Sequence, residues 1–106
     1  MDLIKQLPEI AQRIIQTSHP DKIILFGSYA RGDYGIDSDL DLLVIVPGIQ
    51  HLRAESLRVR RALRGLLAPV DLVIATPEQI QRLGNVVGLV YQSALSEGKV
   101  IYERAG

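Results

Sequence analysis

The chain has no cysteine and no tryptophan. Disulfides and thiolate metal sites are therefore excluded. Aromatic residues make up 5% of the 106, and the tyrosines at 29, 34, 91 and 102 form no stripe on which bases could stack. No charge prevails: 12 Lys and Arg balance 12 Asp and Glu. Bulk charge thus gives no support for direct nucleic-acid binding or for attachment to a membrane surface. No apolar run approaches the roughly 20 residues of a membrane span. Asp2, Lys5, Glu9 and Arg13 interrupt the N-terminal segment where a signal peptide needs a continuous apolar stretch. A cytoplasmic protein is expected. Hydrophobic residues, at 47% against 23% charged, are sufficient for a core, so one domain over residues 1–106 is expected.

Hydrophobic spacing divides the chain. Leu3, Ile4, Leu7, Ile10, Ala11, Ile14 and Ile15 recur at helical intervals, predicting a helix over about residues 2–17 that Pro8 would weaken from within. Lys22 to Phe26 reads as a short strand broken by Gly27, with a short helix from Ser28. Leu40 to Val46 reads as a buried strand ended by Pro47-Gly48. A helix is expected over His51 to Leu67, then a strand over Val70 to Ala75. Thr76 as N-cap with Pro77 at the first helical position opens a further helical stretch, interrupted near Gly84-Asn85. Val86 to Tyr91 is apolar nearly all round and is expected in the core, or else at a partner interface. Lys99 to Tyr102 closes the chain as an edge strand. This order predicts an α/β fold (in the mixed, α+β sense) with a small mixed sheet flanked by helices. The connection between the first two strands is of a length that leaves their relative direction open.

The chemistry concentrates between Gly27 and Asp41. A Gly27-Ser28 turn separates two apolar segments, and the second opens with Asp39 and Asp41. Side chains two apart on a strand share a face. Two carboxylates that close disfavour each other's ionisation unless a cation lies between them. Beside a turn able to approach phosphate, they suggest a Mg²⁺–nucleotide site. Read blandly, Asp39 caps a turn and Asp41 is a surface acid. Arg31 either forks onto phosphate oxygens or pairs with Asp33 or Asp37. His19 and His51 have no second ligand at metal spacing and read as surface residues. From His51 onward, Arg53, Arg58, Arg60, Arg61 and Arg64 face only Glu55; this basic helix could meet an acidic partner or RNA, or simply be solvated.

Gly27, Ser28, Ala30, Arg31 and Gly32, then Ser38, Asp39, Asp41 and Leu42, resemble the signature of the DNA polymerase β-type nucleotidyltransferase superfamily. The sequence is most similar to its minimal nucleotidyltransferases, the short antitoxins paired with HEPN-domain toxins. The resemblance extends over nearly the whole chain and departs at no motif residue. It implies the nucleotidyltransferase fold, with Asp39, Asp41 and Asp71 as catalytic metal ligands for two Mg²⁺ ions. Asp71 would complete a second metal position or accept the proton of the attacking hydroxyl. Gly27, Ser28 and Arg31 would bind the nucleotide. The implied reaction is AMP transfer from ATP to a tyrosine of a partner HEPN ribonuclease, silencing it. Little sequence follows the motif with which to recognise an elaborate acceptor, which favours a partner protein as acceptor. Two alternatives remain open: an antitoxin that acts by binding and occlusion, and a transferase acting on a small molecule such as an aminoglycoside.

Overall fold

In the computed structural model, which describes residues 3–86 and 89–105, a four-stranded sheet carries helices on both faces. A 3-10 turn over Leu3–Gln6 leads into α1, Leu7–Ser18. Strand β1, Lys22–Phe26, is followed by the one-turn helix α2, Ser28–Arg31. Next come β2, Leu40–Ile45, α3, Leu52–Ala62, and β3, Val70–Ala75. Helices α4, Pro77–Leu83, and α5, Val90–Glu97, precede β4, Lys99–Glu103. No helix among the described residues is long and apolar enough to cross a membrane.

The strand order is β3-β2-β1-β4. β1 runs antiparallel to both β2 and β4, whereas β2 and β3 are parallel. The expected mixed sheet and the edge position of the last strand are both found. Alternation along the strands feeds two cores. Ile23, Leu25, Leu40, Leu42, Val44, Leu72 and Ile74 pack with Ile10 and Ile14 of α1 and Val59 of α3. Ile24, Phe26, Leu43, Ile45 and Ala75 face the other way, against Ala94 and Tyr91 of α5 and Ile80 of α4.

Several expectations need correction. Pro8 does not interrupt a helix. The chain enters as a 3-10 turn and the proline lies in the first turn of α1, where its missing N–H costs nothing. The helix predicted over His51 to Leu67 ends at Ala62. Leu63 and Leu66 still pack onto the core through an irregular turn that includes Gly65, while Leu67 is 80% exposed. The segment expected in the core is not buried where it is described: Val86, Leu89 and Val90 are exposed, while Val87 and Gly88 lie outside the described residues. α5 turns only Tyr91 and Ala94 toward the sheet, because an eight-residue helix presents just one narrow stripe.

Candidate active site

Gly27 ends β1 and caps α2 with φ 73° and ψ −154°. This backbone region is essentially glycine-only. The position also lacks room: a Cβ there would overlap Asp41 Oδ2. The turn and the carboxylate are therefore packed against one another, and glycine leaves the cradle between them open. Ser28 begins α2, whose backbone closes through Ala30 and Arg31 amides donating to the Gly27 carbonyl at 3.1 and 3.0 Å. Tyr29 stacks on Tyr34 with ring centroids 4.2 Å apart. That pair, invisible to a search for an aromatic stripe, pins the start of the loop after α2.

Asp41 is the second residue of β2 and pairs across the parallel ladder with Asp71, the second residue of β3. Directly opposed residues of neighbouring strands point to the same face. Both carboxylates therefore stand on the α4–α5 side, at the strand ends that enter the sheet. Asp39 lies just before β2 and is exposed, as is Asp71, whereas Asp41 is half-buried. The Asp41 carboxyl is pushed above its ordinary value, first by burial and then by the charges of Asp71 and Asp39. A hydrogen bond with Asp71 adds to this, and Arg31 partly offsets it. The three acids named from the sequence thus gather at one place, with Asp41 at the centre.

Among the described residues no three His, Cys, Asp or Glu side chains stand close enough together to hold a metal ion by themselves. The Asp41–Asp71 pair with Asp39 beside it is an open, all-oxygen set next to a cradle that a Cβ would fill. These donors fit Mg²⁺, which keeps several waters and binds through one or two carboxylates plus substrate phosphates.

Arg31 takes the ion-pair alternative, although its partners are only half anticipated. Its Nε donates to Asp33 Oδ2 at 3.2 Å and its Nη1 to Glu97 Oε2 at 3.2 Å. Both partners raise its pKa, so it remains a cation within electrostatic reach of Asp41. Glu97 carries no motif in the sequence. No local spacing links it to a residue 66 positions away; the contact forms because α5 ends over β1, where a Cβ on Gly98 would overlap Ile24 Cγ2 and the Ala94 carbonyl.

An open cleft of about 430 Å³ lies elsewhere, lined in part by Ser18, Pro47, His51, Glu55 and Arg58. It adjoins Val46, past the end of β2, roughly 16 Å along the strand from Asp41. Three of its polar side chains are already paired, with Ser18 Oγ donating to Glu55 Oε2 at 2.6 Å and Arg58 Nη2 to the same oxygen at 3.1 Å. It holds no converging acids and is separate from the carboxylate cluster.

Residues 4–101 match the family model described as Nucleotidyltransferase domain. The chain belongs to this nucleotidyltransferase family. It is 38% identical over 66 residues to the "Putative protein adenylyltransferase MJ0141" of Methanocaldococcus jannaschii, covering 60% of this chain and 67% of that protein. A second protein of that organism, "Putative protein adenylyltransferase MJ0604", is 71% identical over 24 residues, covering 23% of this chain and 24% of the other. Among solved structures, a "putative nucleotidyltransferase" from Sulfolobus solfataricus superposes with a TM-score of 0.67 at 23% identity, over 96% of this nucleotidyltransferase and 81% of that chain. A toxin–antitoxin crystallised with AMP-PNP gives 0.62 at 22% identity, covering 91% and 73%. A mutant of the toxin–antitoxin MntA-HpeT gives 0.61 at 20% identity, covering 98% and 75%. At these identities the structures establish the shared fold, which agrees with the mixed sheet of this transferase.

Proposed function

We propose that this nucleotidyltransferase is a Mg²⁺-dependent protein adenylyltransferase and an antitoxin. It transfers AMP from ATP to a tyrosine hydroxyl of a partner HEPN-domain ribonuclease toxin and so silences it. The observation that carries the reading is the lateral pairing of Asp41 with Asp71 beside the Gly27 turn. The names of the two Methanocaldococcus relatives support the reaction class, and the toxin–antitoxin neighbours support the kind of partner.

Each residue then has a role. Asp39, Asp41 and Asp71 would hold the divalent cations. When bound, these neutralise phosphate charge and stabilise the attacking and leaving oxygens of an in-line displacement. Gly27 and Ser28 admit the triphosphate close to the backbone, and Arg31 would exchange its carboxylate partners Asp33 and Glu97 for phosphate oxygens. The acceptor hydroxyl oxygen bonds to the α-phosphorus, the bond from that phosphorus to the bridging oxygen breaks, and pyrophosphate leaves. Asp71, the more exposed of the paired acids, takes the hydroxyl proton.

Mass spectrometry of the neighbouring gene's product, incubated with this chain, ATP and Mg²⁺, tests the proposal. A mass increase of one or more AMP units, absent with Asp41→Asn, is the expected result. No increase despite a stable complex overturns it. The ion pairs that hold Arg31 on Asp33 and Glu97 favour a second reading, an antitoxin that works by occlusion with an idle site. Protection of cells by the Asp39→Asn, Asp41→Asn double variant would select it.

A further inference from the structure

The outer face of α3 is not explained by folding or by the carboxylate site. Arg53, Leu57, Arg60 and Arg61 recur at i, i+4, i+7 and i+8, the spacing of one helix face, and Arg64 follows in the next turn. The inward side of α3 is spent on Val59, which is fully buried, and on Leu52. All four arginines are exposed. Arg58 and Glu55, elsewhere on the helix, are paired with each other. By contrast, the side chains of Arg53, Arg61 and Arg64 make no ion pair or hydrogen bond among the described residues. Arg60 reaches a backbone oxygen only, that of Leu72, at 3.4 Å. A chain of zero net charge thus places a block of unopposed positive charge on one helix. Like charges at this spacing repel and cost stability.

One apolar side chain lies within this face and a second follows it along the chain. Leu57 is 50% exposed in the middle of the arginines, and Leu67 is 80% exposed just beyond them. Apolar centres rimmed by arginine are the composition of protein interfaces; a phosphate backbone has no use for the leucines. The patch also leads toward the carboxylates. Arg60 donates to the residue that follows Asp71, and β3 is the edge strand. A partner on α3 needs only to pass over that edge to bring a hydroxyl to the opposite face, where Asp41 and Asp71 stand.

We propose that this face seats an acidic surface of the protein that accepts the nucleotide, with carboxylates on the arginines and an apolar side chain against Leu57. The inference rests on the protein-acceptor reading above and adds where the acceptor docks. A second copy of the chain is a poorer occupant, because its exposed Asp33, Asp37 and Asp39 flank the nucleotide site, and docking there would close it.

The test uses the intact chain and the neighbouring gene's product as probe. Binding is measured by calorimetry from about 50 to about 300 mM salt, and AMP transfer is followed in parallel. The combined Arg53→Glu, Arg61→Glu, Arg64→Glu variant should bind the probe about 100-fold more weakly, and Arg61→Glu alone about tenfold. Wild-type affinity should fall steeply with salt. Binding of a fluorescent ATP analogue should stay unchanged in Arg61→Glu and the thermal midpoint should not fall, which guards against misfolding of the triple variant. The KM for the acceptor should rise with little change in kcat. Docking is overturned if both variants bind within twofold of wild type, if wild type fails to bind the probe at low salt, or if a mixed-sequence single-stranded RNA displaces the probe at equal concentration. The two readings fail separately. Charge-sensitive binding without AMP transfer keeps the docking face and removes the transferase reading, whereas AMP transfer indifferent to the arginines does the reverse.

Discussion

Asp41 and Glu55 are carboxylates of similar depth that the fold treats in opposite ways. Glu55 accepts from Ser18 Oγ at 2.6 Å and is paired with Arg58. These contacts hold its carboxyl below the ordinary value, led by the hydrogen bond from Arg58. Asp41 is half-buried beside two further acids and is pushed up. The first arrangement is what stability selects: a partly buried charge with its partners supplied. The second makes no sense for stability alone. An acid cluster that Arg31 offsets only in part is the arrangement a cationic ligand would complete. The open cleft described above lies at Glu55, the satisfied acid; the candidate carboxylates lie at Asp41, on the other face of the sheet.

The largest way to break this contrast is to remove the acids. The Asp39→Asn, Asp41→Asn double variant should lose at least about 10³-fold in AMP transfer, or about 4 kcal/mol of transition-state stabilisation, with the fold retained by circular dichroism. A smaller loss would place catalysis elsewhere. Next in size is Gly27→Ala, which leaves the acids in place and forces their neighbour on them. A Cβ at this positive φ costs roughly 1–3 kcal/mol and must also displace the Asp41 carboxylate. Transfer should fall about 100-fold and the thermal midpoint should drop; an unchanged rate would mean that the turn is not packed on a working carboxylate.

Glu55 should behave in the opposite sense. Glu55→Gln weakens charge-assisted hydrogen bonds worth about 1–2 kcal/mol, and the midpoint should fall by roughly 5–10 °C at pH 7 for a domain of this size. Activity per folded molecule should not change. Because its folded pKa is depressed, the Glu55 contribution is present above the unfolded value and is lost as pH falls through the folded one. The destabilisation by Glu55→Gln should therefore fade in acid. A constant difference at all pH values would show that shape rather than charge sets it.

The same two residues show what is legible in a sequence. Gly27, Pro47-Gly48 and Pro69 punctuate the chain, so the first three strand segments could be placed to within a residue, and the acids with them. Thr76 and Pro77 announced α4, whose capping box with Gln79 is present. What failed was tertiary in origin. Leu63, Leu66 and Leu67 keep a helical rhythm beyond the helix, because a leucine can reach the core from a turn as well as from a helix. The antiparallel β1–β2 pairing and the parallel register that sets Asp71 beside Asp41 are properties of neighbouring strands, which no single strand's spacing contains. The Arg31–Glu97 pair has the same character. The candidate carboxylates were therefore nameable from the sequence, while their contacts and the charge environment they create were not.

The smallest effect probes the comparison most directly, because it reads Asp41 with no substrate present. Between its unfolded value and its raised folded value, the native state binds the proton more tightly than the unfolded chain does. Stability must then fall as pH rises through that window, and above the folded value the full penalty remains. Asp41→Asn removes the charge and hence the penalty. The variant should melt about 2 °C higher than wild type at pH 7, a modest gain because the carboxyl is partly solvated, and the two curves should converge in acid. Millimolar Mg²⁺ supplies the positive charge by another route and should raise the wild-type midpoint but not that of the variant. A variant that melts below wild type at pH 7 would mean that Asp41, like Glu55, holds the fold together, and the contrast between the two acids would collapse.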